Sequence, residues 1–109
     1  MLSPMCQYCG EDGLPNEWHY IHLASRAIGG AGIVCTEVVH TLPEGRISPG
    51  CLGIWSDDHR DALARLAETI TAHGAVPGMQ IGHAGRKAAV SRPWEGSLPI
   101  QKGRDAWPT

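Results

Sequence analysis

The run Gly32-Ile33-Val34-Cys35-Thr36-Glu37-Val38-Val39 is apolar and β-branched with almost no alternation, the pattern of a strand covered on both faces, as strands of parallel sheets are. A parallel strand is reached by a crossover, usually a helix, and the flanking sequence supplies helices on both sides. Upstream, Pro15-Asn16 starts one, with Asn16 as N-cap and Glu17 in the first turn. Trp18, Ile21, Ser25 and Ile28 fall three to four residues apart on one face, and Gly29-Gly30 stops the helix. Downstream, Ser56 is expected to cap a second helix, with Asp57 and Asp58 in its dipole-favoured first turn. Its apolar stripe is Leu63, Leu66, Ala67 and Ile70, and Gly74 ends it.

Two further strands are expected. Ser3 to Tyr8 reads as a short apolar strand end, broken by the polar turn Cys9-Gly10-Glu11-Asp12-Gly13, and Val76 to Ile81 reads as a third buried strand. The stretch from His40 to Trp55, with Pro43, Gly45, Pro49, Gly50 and Gly53, reads as a long turn-rich loop. Everything after Gly85 reads as a polar tail without helical or strand period. The order strand, helix, strand, helix, strand is the βαβ grammar of an α/β protein with a parallel sheet and right-handed crossovers. Such repeats build an open doubly wound sheet or a closed barrel. A complete βα barrel takes ~250 residues, so 109 residues that reach the third strand do not close one.

Composition narrows the partners. A net charge of -2 and pI near 6.3 give no basic stripe for nucleic acid and no polybasic cluster for a membrane surface, which leaves small molecules. No apolar run approaches the ~20 residues that span a bilayer, and Met1-Leu2-Ser3-Pro4 lacks the basic start of a secretory signal. A cytoplasmic protein is expected, with Cys6, Cys9, Cys35 and Cys51 as reduced thiols. Cys6 and Cys9 form a Cys-x-x-Cys pair, and His19 and His22 stand three apart on the first helix, so a small metal module is an alternative. Against it, no second Cys-x-x-Cys exists. Such histidines are commonly helix surface or helix-to-sheet packing, and Cys35 in a Val-rich strand reads as a small buried hydrophobe.

Three segments stand at the C-terminal ends of the expected strands, where βα enzymes bind ligands: Met5-Cys6-Gln7-Tyr8, Glu37-Val38-Val39-His40 and Gln80-Ile81-Gly82-His83. A thiol, a phenol, a carboxamide and an imidazole at one mouth suit a flat heterocycle, because Gln both donates and accepts and Tyr donates to a polarised oxygen.

Ser3-Pro4-Met5-Cys6-Gln7-Tyr8, Pro43-Glu44-Gly45-Arg46-Ile47, Leu52-Gly53-Ile54-Trp55-Ser56-Asp57 and Gln80-Ile81-Gly82-His83-Ala84-Gly85-Arg86-Lys87 resemble, in order and spacing, successive signatures of the old yellow enzyme family. Arg92-Pro93-Trp94-Glu95-Gly96 further resembles its xenobiotic-reductase branch, whose members carry the early cysteine. The resemblance implies a (βα)8 TIM barrel with FMN, of which this chain is about the first three βα units. It implies NAD(P)H as reductant, a small-molecule activated alkene as acceptor, and a homo-oligomeric parent protein. Carried over residue by residue, it places Ser3, Pro4, Met5 and Cys6 along the isoalloxazine ring, with Cys6 tuning its potential. Val38 takes the second-strand flavin contact, Gln80 hydrogen-bonds the pyrimidine edge, and Tyr8 takes the substrate face. Val38 departs from the alanine usual in the branch, and Cys9 and Gly82 also depart from the family pattern. The family's carbonyl-binding His pair, proton-donating Tyr and phosphate site belong to later strands, so no catalytic residue is assigned within this chain and no metal is expected. Residues 1–85 are expected to form the βαβαβ portion and 86–109 a loop over the barrel mouth, in a truncated chain without independent activity.

Overall fold

The computed structural model describes residues 1–103 and 105–107. Its elements are α1 (Glu17–Ile28), β1 (Ile33–His40), β2 (Leu52–Gly53), α2 (Asp57–Ala72) and β3 (Val76–Gly82), with single 3-10 turns at Pro43–Gly45, Gly85–Lys87 and Pro93–Glu95. The three strands form one parallel sheet in the order β2-β1-β3. Both helices pack on one side of it. Leu23 and Ala27 from α1, Val34 and Val39 from β1, Leu52 from β2, and Leu63, Leu66 and Ile70 from α2 make a single apolar cluster between the layers. This is the α/β start of a barrel that the sequence predicts.

α2 forms as expected: Leu63, Leu66 and Ile70 are buried, and the chain leaves the helix through Gly74 at φ +90°. Ser56 occupies its N-cap position, but the hydroxyl meets the His59 ring instead of a backbone N–H. α1 starts at the expected cap, where the Asn16 carboxamide accepts from Trp18 N–H. Its buried face is another one. His19, His22, Leu23 and Ala27 are buried, whereas Trp18, Ile21, Ser25 and Ile28 are exposed. The helix is turned by a polar contact on its inner side, from His19 to Glu37, that periodicity of apolar residues does not register.

β1 carries a bulge. Cys35 pairs with Gly78, but Val38 already pairs with Gln80, so β1 holds one residue more than β3 over this stretch. Thr36 and Glu37 are consequently both buried. The bulge also lets Val34 and Val39, an odd number of residues apart, both join the helix-side core.

The Ser3–Tyr8 strand is reduced to one bridge, Leu2 with Val34. Beyond the bulge, the edge of β1 is taken by β2, with Val39 opposite Leu52 and His40 opposite Gly53. The segment expected to be only a loop therefore contributes a short strand. β3 is not buried as expected: paired on one edge, it leaves Val76, Met79 and Ile81 exposed.

After Gly85 the chain folds back on itself. Val90 bridges Pro99, Ser91 N–H donates to Leu98 O and Ile100 N–H to Ala89 O, all within a segment expected to have no helical or strand period. Ala89 and Val90 N–H donate to Arg46 and Ile47 carbonyls, tying it to the 43–50 loop. The expected mouth loop also includes Arg104, Pro108 and Thr109, which lie outside the described residues.

Candidate functional site

The C-terminal ends of the strands bring Cys6, Val38 and Gln80 side by side. Val38 pairs with Gln80 across β1 and β3. On the other edge of β1 the Cys6 sulfur accepts from the Val38 backbone N–H. Gln80 is exposed, and among the described residues no hydrogen bond engages its carboxamide. The Val38 side chain rests against the sheet neighbour Gly82: a Cβ there would fall 2.7 Å from Val38 Cγ2. The two departures from the family pattern at 38 and 82 are thus in contact, a larger side chain facing an absent one.

Cys6 is lowered to about 7, chiefly by the Cys51 thiol, which hydrogen-bonds it, with smaller help from Val38 N–H and the Tyr8 phenol against its partial burial and the charge of Glu37. The Cys51 thiol is pushed up by that same contact and by burial. Tyr8 has φ +56°, its carbonyl accepts from Arg92 Nε at 3.1 Å, and its ring meets Trp94 edge-on with centroids 6.4 Å apart. Burial, then the negative charge at Cys6, raises its phenol above the ordinary value, so it stays a donor at neutral pH. His40, at the end of β1, is 1 % exposed, and burial lowers its pKa against a smaller opposing contact with the Gly82 backbone.

The other predicted flavin contacts precede Cys6 on the extended segment. Ser3 and Pro4 sit lower along the extended segment, near the Leu2 bridge, where Cys35 N–H donates to Leu2 O. Met5 borders the narrow space under α1 with His19, His22 and Glu37. Gln7 is held there too: its carboxamide donates to Met5 O and accepts from Trp18 Nε1, both at 2.9 Å. His19 and His22 are buried in helix-to-sheet packing, His19 Nε2 lying 3.1 Å from Glu37 Oε1 and 3.9 Å from Cys9 Sγ. Among the described residues no three His, Cys, Asp or Glu side chains are grouped to hold a metal ion.

Arg46 of the Pro-Glu-Gly-Arg-Ile signature is a staple of the long loop. It donates to Pro43 O at 3.0 Å and Pro49 O at 3.2 Å, and its guanidinium lies over the rings of Trp55 (5.3 Å) and Trp107 (4.8 Å). Trp107 thereby finds a partner surface, whereas Trp94 stays 66 % exposed. A cavity of about 500 Å³ opens beside Arg46, Trp55 and Trp107 and shares no residue with the predicted flavin contacts. Sequence reasoning placed His40 at a strand end without its burial and missed Cys51 at the rim. Cys51 lies in a loop whose strand pairing is non-local, and His40 follows a β-branched run that carries no sign of its burial.

A parallel βα sheet whose strand ends gather a thiol, an amide and a phenol is the start of a βα barrel with a candidate ligand site at its rim. The NADH:flavin oxidoreductase / NADH oxidase family matches residues 1–101, and the chain belongs to that family. It is 48 % identical over 92 residues to an NADPH dehydrogenase of Geobacillus sp. (strain WCH70), covering 83 % of this chain and 27 % of that protein. An NADPH dehydrogenase of Halalkalibacterium halodurans is 46 % identical over 95 residues, covering 85 % and 28 %. Among solved structures, morphinone reductase superposes with a TM-score of 0.73 at 25 % identity, over 80 % of this chain and 23 % of that one. The chain therefore spans little more than a quarter of the curated relatives it matches. Family membership implies FMN as cofactor and NAD(P)H as reductant. The residues at the rim fit such a group: the uncommitted Gln80 amide can both donate and accept along a heterocycle edge, beside the sulfur of Cys6.

Proposed function

We propose that the protein is an FMN-dependent NADPH oxidoreductase that reduces the C=C bond of small activated alkenes, and that this chain provides part of its flavin cradle. The observation that carries the reading is the meeting of Cys6, Val38 and Gln80 on one rim, with the Gln80 carboxamide uncommitted. The NADPH dehydrogenases among its relatives support the reductant, and a complex of morphinone reductase with tetrahydroNAD supports the class of chemistry. Bound FMN would supply the hydride-transfer chemistry between the nicotinamide and the alkene β-carbon.

In this reading Ser3, Pro4, Met5 and Cys6 lie along the ring, Val38 sets one edge, and Gln80 holds the pyrimidine edge by donating and accepting. The Cys6 sulfur adds electron density beside the ring and tunes its potential. Tyr8, kept protonated, donates to the acceptor's polarised oxygen. The segment from Arg86 to Ile100, fastened to Tyr8 through Arg92 and Trp94, would cover the mouth and limit water there. These strands hold only part of a cradle, so the activity belongs to a protein of full family length, cytoplasmic and homo-oligomeric, and the 109-residue chain alone is inactive.

The test pairs FMN fluorescence quenching with NADPH-driven reduction of cyclohexenone, for the 109-residue chain and for a form extended to full family length. Binding and turnover are expected in the extended form and no turnover in the short one. Absence of both in the extended form overturns the reading.

A further inference from the structure

Cys51 and Cys6 reach the same point from opposite ends of the described fold. Leu52 pairs with Val39, which brings Cys51, one residue earlier, to the edge of β1 at Val38. The segment that starts at the Leu2–Val34 bridge runs along the same edge of β1, and its Cys6 sulfur accepts the Val38 N–H. The two segments touch main chain to main chain. Gly10 N–H donates to Gly50 O at 2.8 Å, and a Cβ on Gly50 would fall 2.1 Å from Tyr8 O. Between these contacts the Cys6 and Cys51 thiols hydrogen-bond each other, and both are free.

We propose that Cys6 and Cys51 are an oxidisable pair, converted by a peroxide into a disulfide that ties the N-terminal segment to the 43–53 loop at the rim. The Cys6 sulfur, partly exposed and about half ionised at neutral pH, attacks a peroxide oxygen. The O–O bond breaks, Cys6 becomes a sulfenic acid, and the departing hydroxide is protonated to water. The Cys51 sulfur then attacks the Cys6 sulfur, the S–O bond breaks, and the second oxygen leaves as water with the Cys51 proton. Two thiols lose two electrons in all, and one peroxide is reduced to two waters.

The other cysteines stand apart. Cys9 Sγ is turned toward His19 at 3.9 Å, and Cys35 sits lower in β1 against Gly78, where a Cβ would meet its sulfur at 2.6 Å. The disulfide would withdraw the Cys6 thiolate from the flavin contact proposed above, but its formation does not depend on that contact.

The experiment treats the whole protein, as purified, with hydrogen peroxide, blocks the remaining thiols with iodoacetamide, and maps disulfides by mass spectrometry after proteolysis. A reducible link between Cys6 and Cys51 is expected, with Cys9 and Cys35 alkylated. Cys9→Ser keeps the link, and Cys51→Ser replaces it with sulfenic and sulfinic acid at Cys6. In the unoxidised protein, alkylation of Cys6 is half-maximal near pH 7 and falls about tenfold per pH unit below it; Cys51→Ala moves the midpoint upward. Oxidation of Cys6 without the link, a link through Cys9, or a midpoint indifferent to Cys51 overturns the proposal. Thiol mapping needs no turnover, so its failure is distinct from failure of the flavin assignment.

Discussion

Glu37 and Val38 are consecutive, yet they belong to two differently built regions. On the helix side, Glu37 is buried beneath α1, where Oε1 meets His19 Nε2. His19 in turn accepts Asn16 N–H on Nδ1 at 3.0 Å, so one chain of contacts joins the start of α1 to the bulge of β1. On the rim side, Val38 is flanked by Cys6 and Gln80, near the buried imidazole of His40. Polar groups of the first region are tied chiefly to one another, with only His22 Nδ1 and Glu37 Oε2 left without a partner among the described residues. Those of the second include uncommitted ones in the place where a ligand of a βα protein binds. The difference separates histidines that look alike in the sequence: His19 is structural, and His40 is a buried group facing the candidate site's end of its strand.

The sharpest way to break this comparison is Glu37→Ala. It strands the His19 imidazole and opens a void, and should cost about 3 kcal/mol of stability, the scale of losing one member of a buried pair. Urea unfolding of the full-length protein measures it. A cost below about 0.5 kcal/mol would mean that the helix-side contacts do not hold α1 in place.

The next effect tests the seam between the regions. Gly82→Ala places a Cβ 2.7 Å from Val38 Cγ2 and should cost about 2 kcal/mol by overpacking. In a Val38→Ala background the same substitution should cost little, because the space is vacated. A double-mutant cycle on thermal unfolding reads the coupling. Additive effects would show that the two departures from the family pattern arose without reference to each other.

Local signals in the sequence were faithful wherever a residue's fate is set by its near neighbours. The stripe of α2, its stop at Gly74 and the extended run of β1 all follow from adjacent residues, and all are present. What escaped depends on distant partners. The face of α1 is chosen by Glu37, on another element, and no count of apolar spacing could have turned Trp18 and Ile21 outward. The bulge at Thr36 and Glu37 exists only relative to β3, and β2 only relative to Val39 and His40. The candidate site divides the same way. Cys6, Val38 and Gln80 came from motif resemblance and parallel topology, and the fold brings them together. Cys51, reaching Cys6 through the register of a two-residue strand, left no trace in spacing.

The smallest stability effect carries the most about function. Gln80 is exposed and uncommitted, so Gln80→Ala should change unfolding by less than about 0.5 kcal/mol. If its carboxamide holds a flavin edge, the same substitution should weaken FMN binding by about tenfold, the worth of a hydrogen bond near 1.4 kcal/mol. Fluorescence quenching and a thermal melt on one preparation of the full-length protein give both numbers. Equal losses at Gln80 and Glu37 in the melt would make the rim another structural layer. A melt unchanged at Gln80 with weakened FMN binding means that evolution kept this amide for a partner other than the protein itself, which is what an uncommitted polar group at a strand end implies.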